Sequence, residues 1–282
     1  MTYKTVLVSP IFSSSADEKG PAEALARYAI AFAEAQGAHL SFALGCIRLF
    51  APGAIMVREA RALIAKANAD RKAQAQTYGE ELLARASASG VTASLELMQE
   101  EYGKLCTHIA TLARYTDIAI MEADAGNVSL HQGILEAVLF DSGRPIIVVP
   151  PLWSGTADIK KVIVSWDGSA KAARALGDAA PLLEQASEVE IVSISGDPDA
   201  SKRIDAAEIA PHVSRHCKNV TVTSLPAHGN DVAATLSSHA KLVRADLLVM
   251  GAFARPKLRQ LILGGVTSNM LTDPPRPVLM SY

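Results

Sequence analysis

The sequence predicts an α/β protein made of two tandem, doubly wound domains, each built on a five-stranded parallel sheet. Three observations support this fold class: segments recur in the same order in both halves, short apolar runs alternate with Ala-rich stretches, and a Pro-, Gly- and Ser-bearing connector separates the copies. The recurring pairs are residues 5–10 with 161–166, 116–123 with 245–252, and 144–149 with 276–281. A repeated unit of about 140 residues sets the architecture before any single residue does.

In the first copy, short apolar runs bounded by turn residues predict buried strands, and Ala-rich stretches with apolar residues at helical spacing predict helices. Gly37 is well placed to end the first helix, and the second, long and charged, ends before Gly90. The predicted elements are strand 6–8, helix 22–36, strand 39–44, helix 56–86, strand 91–97, helix 102–114, strand 117–121, helix 130–140 and strand 145–149. This alternation predicts a mostly parallel sheet with helices on both faces.

The connector begins at Pro150, and the same pattern restarts at Val162, which predicts domains at 1–150 and 151–282. The second copy repeats the order of apolar runs and helical stretches. Its predicted elements are strand 162–166, helix 171–185, strand 188–193, helix 206–218, strand 220–225, helix 232–244, strand 247–250, helix 267–271 and strand 278–280.

Composition excludes several classes of function. The 282 residues are enough for two domains of ordinary size, with 49% hydrophobic and 20% charged residues. A net charge of −2, no long basic run and only 5% aromatic residues argue against binding to nucleic acid. Three widely spaced cysteines form neither a disulfide framework nor paired metal ligands. The start of the sequence lacks a signal-peptide pattern and no apolar run reaches membrane length, so we expect a cytoplasmic protein that does not contact membranes.

The first candidate site segment is Asp167-Gly168-Ser169, at the carboxyl end of the first strand of the second copy. Ligands of open α/β sheets bind at that edge, where Asp167 could bond a ribose hydroxyl, an adenine amine or a metal. The same three residues also make a good strand-to-helix turn with a capping serine. In the first copy the corresponding place holds Ser9-Pro10.

The second candidate segment follows the strand that ends at Met250. It contains a glycine after the strand, three cations and a glycine pair at a helix start: Gly251, Arg255, Lys257, Arg259, Gly264 and Gly265. Amides at a helix start attract anions, and glycines let the backbone approach a phosphate. Without the Asp167 segment, a surface loop with two flexible glycines would be the better interpretation. Because both segments fall at one sheet edge, a nucleotide site is expected in the second half only.

These residues resemble the universal stress protein family in its tandem, two-domain form, over essentially the whole chain. The second-half signature of the family is Gly, two residues, Gly, nine residues, Gly, then Ser or Thr. Gly251 and Gly264 match it, whereas Ala254 and Gly265 replace a glycine and a hydroxyl residue. Asp167 falls at the strand-one acid that touches the nucleotide in ATP-binding members.

The resemblance implies a Rossmann-like fold of the adenine nucleotide alpha hydrolase type, with a degenerate first domain and ATP or a related adenine nucleotide in the second. Mg²⁺ would accompany the nucleotide, and Thr267 or Ser268 would supply a substitute hydroxyl. The implied binding residues are Asp167, Gly168, Ser169, Gly251, Ala254, Gly264, Gly265, Val266 and Thr267. Single-domain members pair their last strands in dimers, so strands 145–149 and 278–280 are expected to form a pseudo-dimer contact within the chain.

Two other classes of function stay open. One is a stress scaffold that binds no nucleotide and acts through an unknown protein partner, for which the long charged helix is a candidate surface. The other is a nucleotidyl transferase or hydrolase, by analogy of fold alone. Neither a Walker lysine motif nor a general base is identifiable, so at most slow ATP hydrolysis is expected. His212, His216 and Cys217 could suggest a metal, although an exposed helical pair is favoured. Further self-association is left open.

Overall fold

The computed structural model describes residues 2–10, 19–50, 58–124, 130–195, 205–229, 231–257, 260–263 and 265–282. Its first half alternates strands and helices as the sequence predicts, with bounds that differ by a few residues. These elements are β1 (Thr5–Val8), α1 (Lys19–Gln36), β2 (His39–Ile47), α2 (Arg58–Ala88), β3 (Ala93–Glu100), α3 (Tyr102–Ala113), β4 (Ile118–Glu122), α4 (Leu130–Asp141) and β5 (Ile146–Val149).

The second half repeats this order and adds a hairpin. Its elements are β6 (Lys161–Ser165), α5 (Ala170–Asp178), α6 (Ala180–Leu183), β7 (Glu188–Ser195), α7 (Ala206–Val213), β8 (Val220–Pro226), α8 (Val232–Leu242), β9 (Leu247–Gly251), β10 (Ala254–Lys257), β11 (Gln260–Leu263), α9 (Gly265–Thr272) and β12 (Val278–Ser281).

Two helices of the second half differ from the prediction. The single helix expected over 171–185 is divided into α5 and α6 at Ala179, and Pro181 lies in the first turn of α6. Proline lacks an amide hydrogen and is tolerated at such a start but not inside a helix, which accounts for the division. The helix expected to reach residue 218 ends at Val213.

The prediction was also wrong for the segment after β9, which was expected to be an open loop. β10 and β11 instead form an antiparallel two-stranded sheet in which Ala254 pairs with Leu263 and Lys257 pairs with Gln260. The apolar run 261–263 supplies the second strand. Its partner, the Ala-Arg-Pro-Lys segment of β10, has too little strand propensity to be predicted.

Ten strands form one continuous sheet in the order β3-β2-β1-β4-β5-β12-β9-β6-β7-β8. In this sheet the strand pairs within each half are parallel, whereas β5 and β12 are antiparallel. Three residues of each strand are paired, namely Val278 with Val148, Leu279 with Ile147, and Met280 with Ile146. This confirms the predicted contact between the last strands of the two copies.

The sheet is covered on both faces, as predicted. Residues from α1, α2, α5, α6 and α7 pack on one face, and residues from α3, α4, α8 and α9 pack on the other. Strand residues alternate between the two cores, so Leu279 faces one core and Met280 faces the other. None of the helices in the described ranges combines the length and apolar composition of a membrane span.

One acid of each copy fixes the start of that copy's first strand. Asp117 Oδ2 accepts hydrogen bonds from the amides of Lys4 and Thr5 at 2.7 and 2.9 Å. Asp246 Oδ2 accepts from the amides of Lys160 and Lys161 at 3.0 and 2.8 Å. The Asp of the recurring 116–123 and 245–252 segments therefore has a structural role in both halves.

Polar contacts between the halves add to the pairing of β5 with β12, which we call the strand junction. Tyr3 Oη donates to the carbonyl of Asp178 at 2.6 Å, and Gln36 Nε2 donates to Gln185 Oε1 at 3.0 Å. Burial, together with the nearby Asp178 and Asp117 carboxylates, raises the pKa of Tyr3 above its usual range. The neutral phenol therefore remains a hydrogen-bond donor across the interface at ordinary pH.

Shortening a buried side chain at the strand junction should destabilise the whole chain. Leu279 is 0% exposed, so Leu279→Ala is expected to lower the free energy of unfolding by about 2–5 kcal/mol, through lost burial and a cavity. Leu242→Ala is the matched control, because Leu242 is 80% exposed and surface changes usually stay within about 0.5 kcal/mol. Urea unfolding measures both, and equal effects would mean that the junction contributes little to stability.

Candidate functional site

The carboxyl ends of β6 and β9 lie side by side at the point where the strand order reverses. Val164 of β6 is paired with Val249 of β9. From β6 the chain continues through α5 to β7, and from β9 it continues to β12 on the opposite side. Ligands of open α/β sheets bind outside the carboxyl ends of the strands at such a point. We call this place the second-half crevice.

Asp167, Gly168 and Ser169 form the turn from β6 into α5 at this crevice. The Ser169 amide donates to Asp167 Oδ1 at 2.9 Å, and Ser169 Oγ accepts from the Ala172 amide at 3.1 Å. Gly168 has a φ of 72°, a conformation that favours glycine. The three residues thus make the capped turn that was one of the two interpretations of the sequence, and this turn positions Asp167 at the sheet edge.

The first turn of α5 leaves two backbone donors open. The amides of Ala172 and Ala173 donate to Ser169. The amides of Ala170 and Lys171 have no acceptor among the residues that the structure describes. Open amides at a helix start, together with the helix dipole, favour an anion. This end of α5 can therefore bind a negatively charged group.

Gly251 lies against this same helix turn. A Cβ built on Gly251 would be 2.6 Å from the carbonyl carbon of Lys171 and 2.7 Å from the amide nitrogen of Ala172. Only glycine lets β9 and α5 approach so closely. The structure thus brings Gly251 beside the 167–169 turn, as expected, and gives its missing side chain a packing reason that the sequence did not reveal.

Three of the predicted binding residues, Gly265, Val266 and Thr267, lie at the start of α9. Gly265 is exposed at the helix start, and a Cβ there would meet no atom within 4 Å. Val266 is half-buried against the core of that face. Thr267 is 1% exposed, and its Oγ1 accepts from the Phe253 amide at 2.9 Å. The Thr267 hydroxyl therefore holds the chain after β9 against α9.

Two other predicted residues have different outcomes. Ala254 is the first residue of β10, where its backbone pairs with Leu263. It therefore does not lie in the open phosphate loop that the sequence indicated. Gly264 lies outside the described residues.

Sequence reasoning missed a lysine at the crevice. Lys171 Nζ lies 3.1 Å from the centroid of the Tyr282 ring and 5.5 Å from that of Phe253. Tyr282 in turn contacts Phe140 of α4 edge to face, with 4.8 Å between ring centroids. The rings follow β9 and β12, strands far apart in sequence, so only the topology reveals the cluster. The sequence did offer one signal for this residue, because Lys171 comes two residues after the predicted capping residue Ser169.

The corresponding edge of the first half differs, as predicted. In the repeat Pro10 corresponds to Trp166, and the position of Asp167 corresponds to Ile11, which lies outside the described residues. Ser9 and Asp124 are buried there, at 2% and 5% exposure. The Asp124 amide donates to the carbonyl of Leu271 in α9 at 2.9 Å, so this edge is tied to the second half.

The other residues considered as metal ligands do not converge. The rings of His212 and His216 lie 5.3 Å apart, and burial, with a smaller effect of Glu184, raises the pKa of the Cys217 thiol. Within the described ranges no group of three or more His, Cys, Asp or Glu residues is arranged to hold a metal ion.

Two further histidines, His108 and His239, contact carboxylates. His108 lies between Glu96 and Glu100, at 3.2 and 3.1 Å. His239 Nε2 lies 3.0 Å from the buried Glu190 Oε1. Both histidines link a helix to a strand of the sheet.

Comparison with known proteins agrees with this architecture. Residues 158–281 match the model of the universal stress protein family. The fold is similar to the crystal structure of a universal stress protein from Archaeoglobus fulgidus DSM 4304, with a TM-score of 0.73, 16% identity, and 98% of this chain and 97% of that chain covered. It is also similar to a functionally unknown protein from Pseudomonas aeruginosa PAO1, with a TM-score of 0.61, 12% identity, and 99% and 92% covered. No curated protein matches the sequence.

The packing role of Gly251 can be tested by adding one methyl group. Gly251→Ala should destabilise the protein by about 1–3 kcal/mol, because the new Cβ meets the backbone of α5. Gly177→Ala is the control: Gly177 lies within α5 with no atom near its Cβ position, so alanine should stabilise the helix by about 0.5–1 kcal/mol. Chemical unfolding compares the two, and an unchanged stability for Gly251→Ala would contradict the close approach.

Proposed function

Since residues 158–281 form a universal stress protein domain within a tandem fold of that kind, we propose that this half binds ATP or a related adenine nucleotide. The site is the second-half crevice, between the carboxyl ends of β6 and β9. The bound nucleotide would act as a signal in a stress or regulatory response.

One observation carries the proposal: an acid and an open helix start meet at the reversal of strand order. Asp167 follows β6, and the open amides of Ala170 and Lys171 begin α5. An acid at this edge suits a ribose hydroxyl or an adenine amine, which donate hydrogen bonds, and the amides suit phosphate oxygens. The two halves of a nucleotide thus each have a complementary group.

The start of α9 offers a second place for phosphate. The exposed Gly265 leaves open space at its Cβ position, so a ligand could approach the backbone closely there. The Thr267 hydroxyl already accepts from Phe253, so it replaces the signature hydroxyl only if it donates its own hydrogen. Phosphate binding would then depend mainly on backbone amides of the two helix starts.

A magnesium ion would arrive with the nucleotide. Mg²⁺ commonly keeps water and phosphate ligands and takes only one or two carboxylates from the protein. Asp167 is the acid placed to contribute at this edge. We expect at most slow ATP hydrolysis, because no general base is identifiable in the sequence. Nucleotide binding by itself needs no such base.

A protein scaffold is the second candidate function, and α2 is the observation that favours it. The carboxyl-terminal part of α2 packs on the sheet through Ala75, Leu82 and Ala86, each 0% exposed. Over residues 60–74 no side chain is buried, and Leu63 is 69% exposed. This half of the helix is attached through hydrogen bonds of Asn68 with Leu49 and Gln99, and its unburied side chains are available to a partner protein.

Asp167→Asn separates a turn residue from a ligand-binding residue. The amide oxygen of asparagine can still accept from the Ser169 amide, so thermal stability should be nearly unchanged. Loss of a charged acceptor should weaken ATP binding about tenfold or more, since hydrogen bonds to charged groups contribute about 1.5–3 kcal/mol. Calorimetric titration of the full chain with ATP and MgCl₂ measures this.

Asp246→Asn is the matched control, because Asp246 precedes β9, at the end of that strand away from the crevice, and accepts hydrogen bonds from the backbone amides of Lys160 and Lys161. It should leave ATP affinity unchanged in folded protein. Absence of ATP binding by the unaltered chain, or equal affinity of the Asp167→Asn variant, would remove the crevice as the site. The scaffold function would then take its place.

A further inference from the structure

The Lys171 ammonium has no acidic partner among the residues that the structure describes. Lys104, Lys160 and Lys161 each form an ion pair with an Asp or Glu. Among the described residues Lys171 forms none, and its ammonium lies instead between the rings of Tyr282 and Phe253. Within the described part of the chain, its positive charge therefore contacts aromatic rings and no carboxylate.

The place of Lys171 is defined by three neighbouring elements. Its backbone is in the first turn of α5, close to Gly251 at the end of β9. Phe253 comes two residues after β9, and Tyr282 comes directly after β12. The ammonium thus lies over the carboxyl ends of β9 and β12, on the side of the second-half crevice from which the chain continues toward α9.

Aromatic rings hold a cation without neutralising it. The negative face of each ring attracts the ammonium, and the full charge stays available to an anion. The ammonium also belongs to the residue whose own backbone amide is open, next to the open amide of Ala170. Three donors with positive character therefore share one turn of α5, and the acid Asp167 is on the β6 side of that turn.

We infer that Lys171 binds the phosphate groups of the nucleotide and gives the crevice a preference for nucleoside di- and triphosphates over the uncharged nucleoside. This inference rests on the proposed function, because it assigns one end of the ligand to a residue of the same site. A lysine ammonium suits phosphate oxygens as a point charge. It also compensates for the hairpin residue Ala254, which stands where the signature has a glycine.

A packing role is the competing explanation. Tyr282 joins Lys171 to Phe140 of the first half, so the lysine stem could simply fill space between the halves. The two explanations differ in what a neutral side chain of similar length would change. A packing residue would affect stability and every ligand alike, whereas a phosphate ligand would affect only charged nucleotides.

The test compares Lys171→Met and Lys171→Arg in the full chain, with Lys241→Met on the exposed surface of α8 as control. Calorimetric titrations use ATP with MgCl₂ and, separately, adenosine, at low and high NaCl. Lys171→Met should weaken ATP binding about tenfold, leave adenosine affinity unchanged, and reduce the salt dependence of ATP binding. Lys171→Arg should keep most of the ATP affinity, and Lys241→Met should keep all of it.

Other outcomes overturn the inference in distinguishable ways. Equal weakening of ATP and adenosine, with a lower melting temperature, would make Lys171 a packing residue. Unchanged ATP affinity in Lys171→Met would remove Lys171 from the site while the proposed function stands. If the unaltered chain binds neither ligand, the proposed function fails and this inference fails with it. If Lys171→Met does not fold, Lys171→Arg decides, because it keeps the positive charge. Loss of ATP affinity in folded Lys171→Arg would then contradict the inference that this charge binds phosphate.

Discussion

The antiparallel pairing of β5 with β12 is the contact on which the rest of the structure depends. The residues that the two strands pair with each other are Val, Ile, Leu and Met, and all of them are buried. As edge strands they would expose open backbone groups along apolar side chains, a known risk for aggregation. Pairing them within one chain removes two edges at once and joins two five-stranded sheets into one. In the remaining edge strands, β3 and β8, nearly all positions are partly or fully exposed.

Because the junction holds the halves together, each half keeps the same scaffold while its crevice can differ. Asp117 and Asp246 fix the amino end of the sheet in the same way in both copies. At the carboxyl end the copies diverge, because Pro10 stands where the second copy has Trp166, which is followed by Asp167 in an ordered, partly exposed turn. A duplicated fold with one altered edge is consistent with binding in one half and support from the other.

Much of this fold could be predicted from the sequence, for physical reasons that individual segments illustrate. The apolar run 146–149 could be assigned as a strand, and its repeat at 278–281 indicated where the copies meet. Pro181 was a sequence signal for the division between α5 and α6, which the prediction of a single helix overlooked. The hairpin β10–β11 was not predictable, because one of its strands has the composition of a loop and forms only when the other strand is present.

The site was predictable in outline and not in detail. Position in the repeat located Asp167 and Gly251 at one edge, since parallel strands bring their carboxyl ends together. The sequence could not tell that Gly251 is required by the backbone of α5, or that Thr267 bonds to Phe253. Nor could it reveal the ring pair around Lys171, which depends on strands far apart in the chain.

The central claim is that adenine nucleotide binds the second half at the crevice between β6 and β9. Hydrogen–deuterium exchange of the full chain with and without ATP and MgCl₂ tests it most directly, because it locates the ligand along the backbone. The account predicts slower exchange over residues 167–173 and 265–272, with no change over 5–10 and 118–124. Protection confined to the first half, or none at the turn after β6, would contradict it.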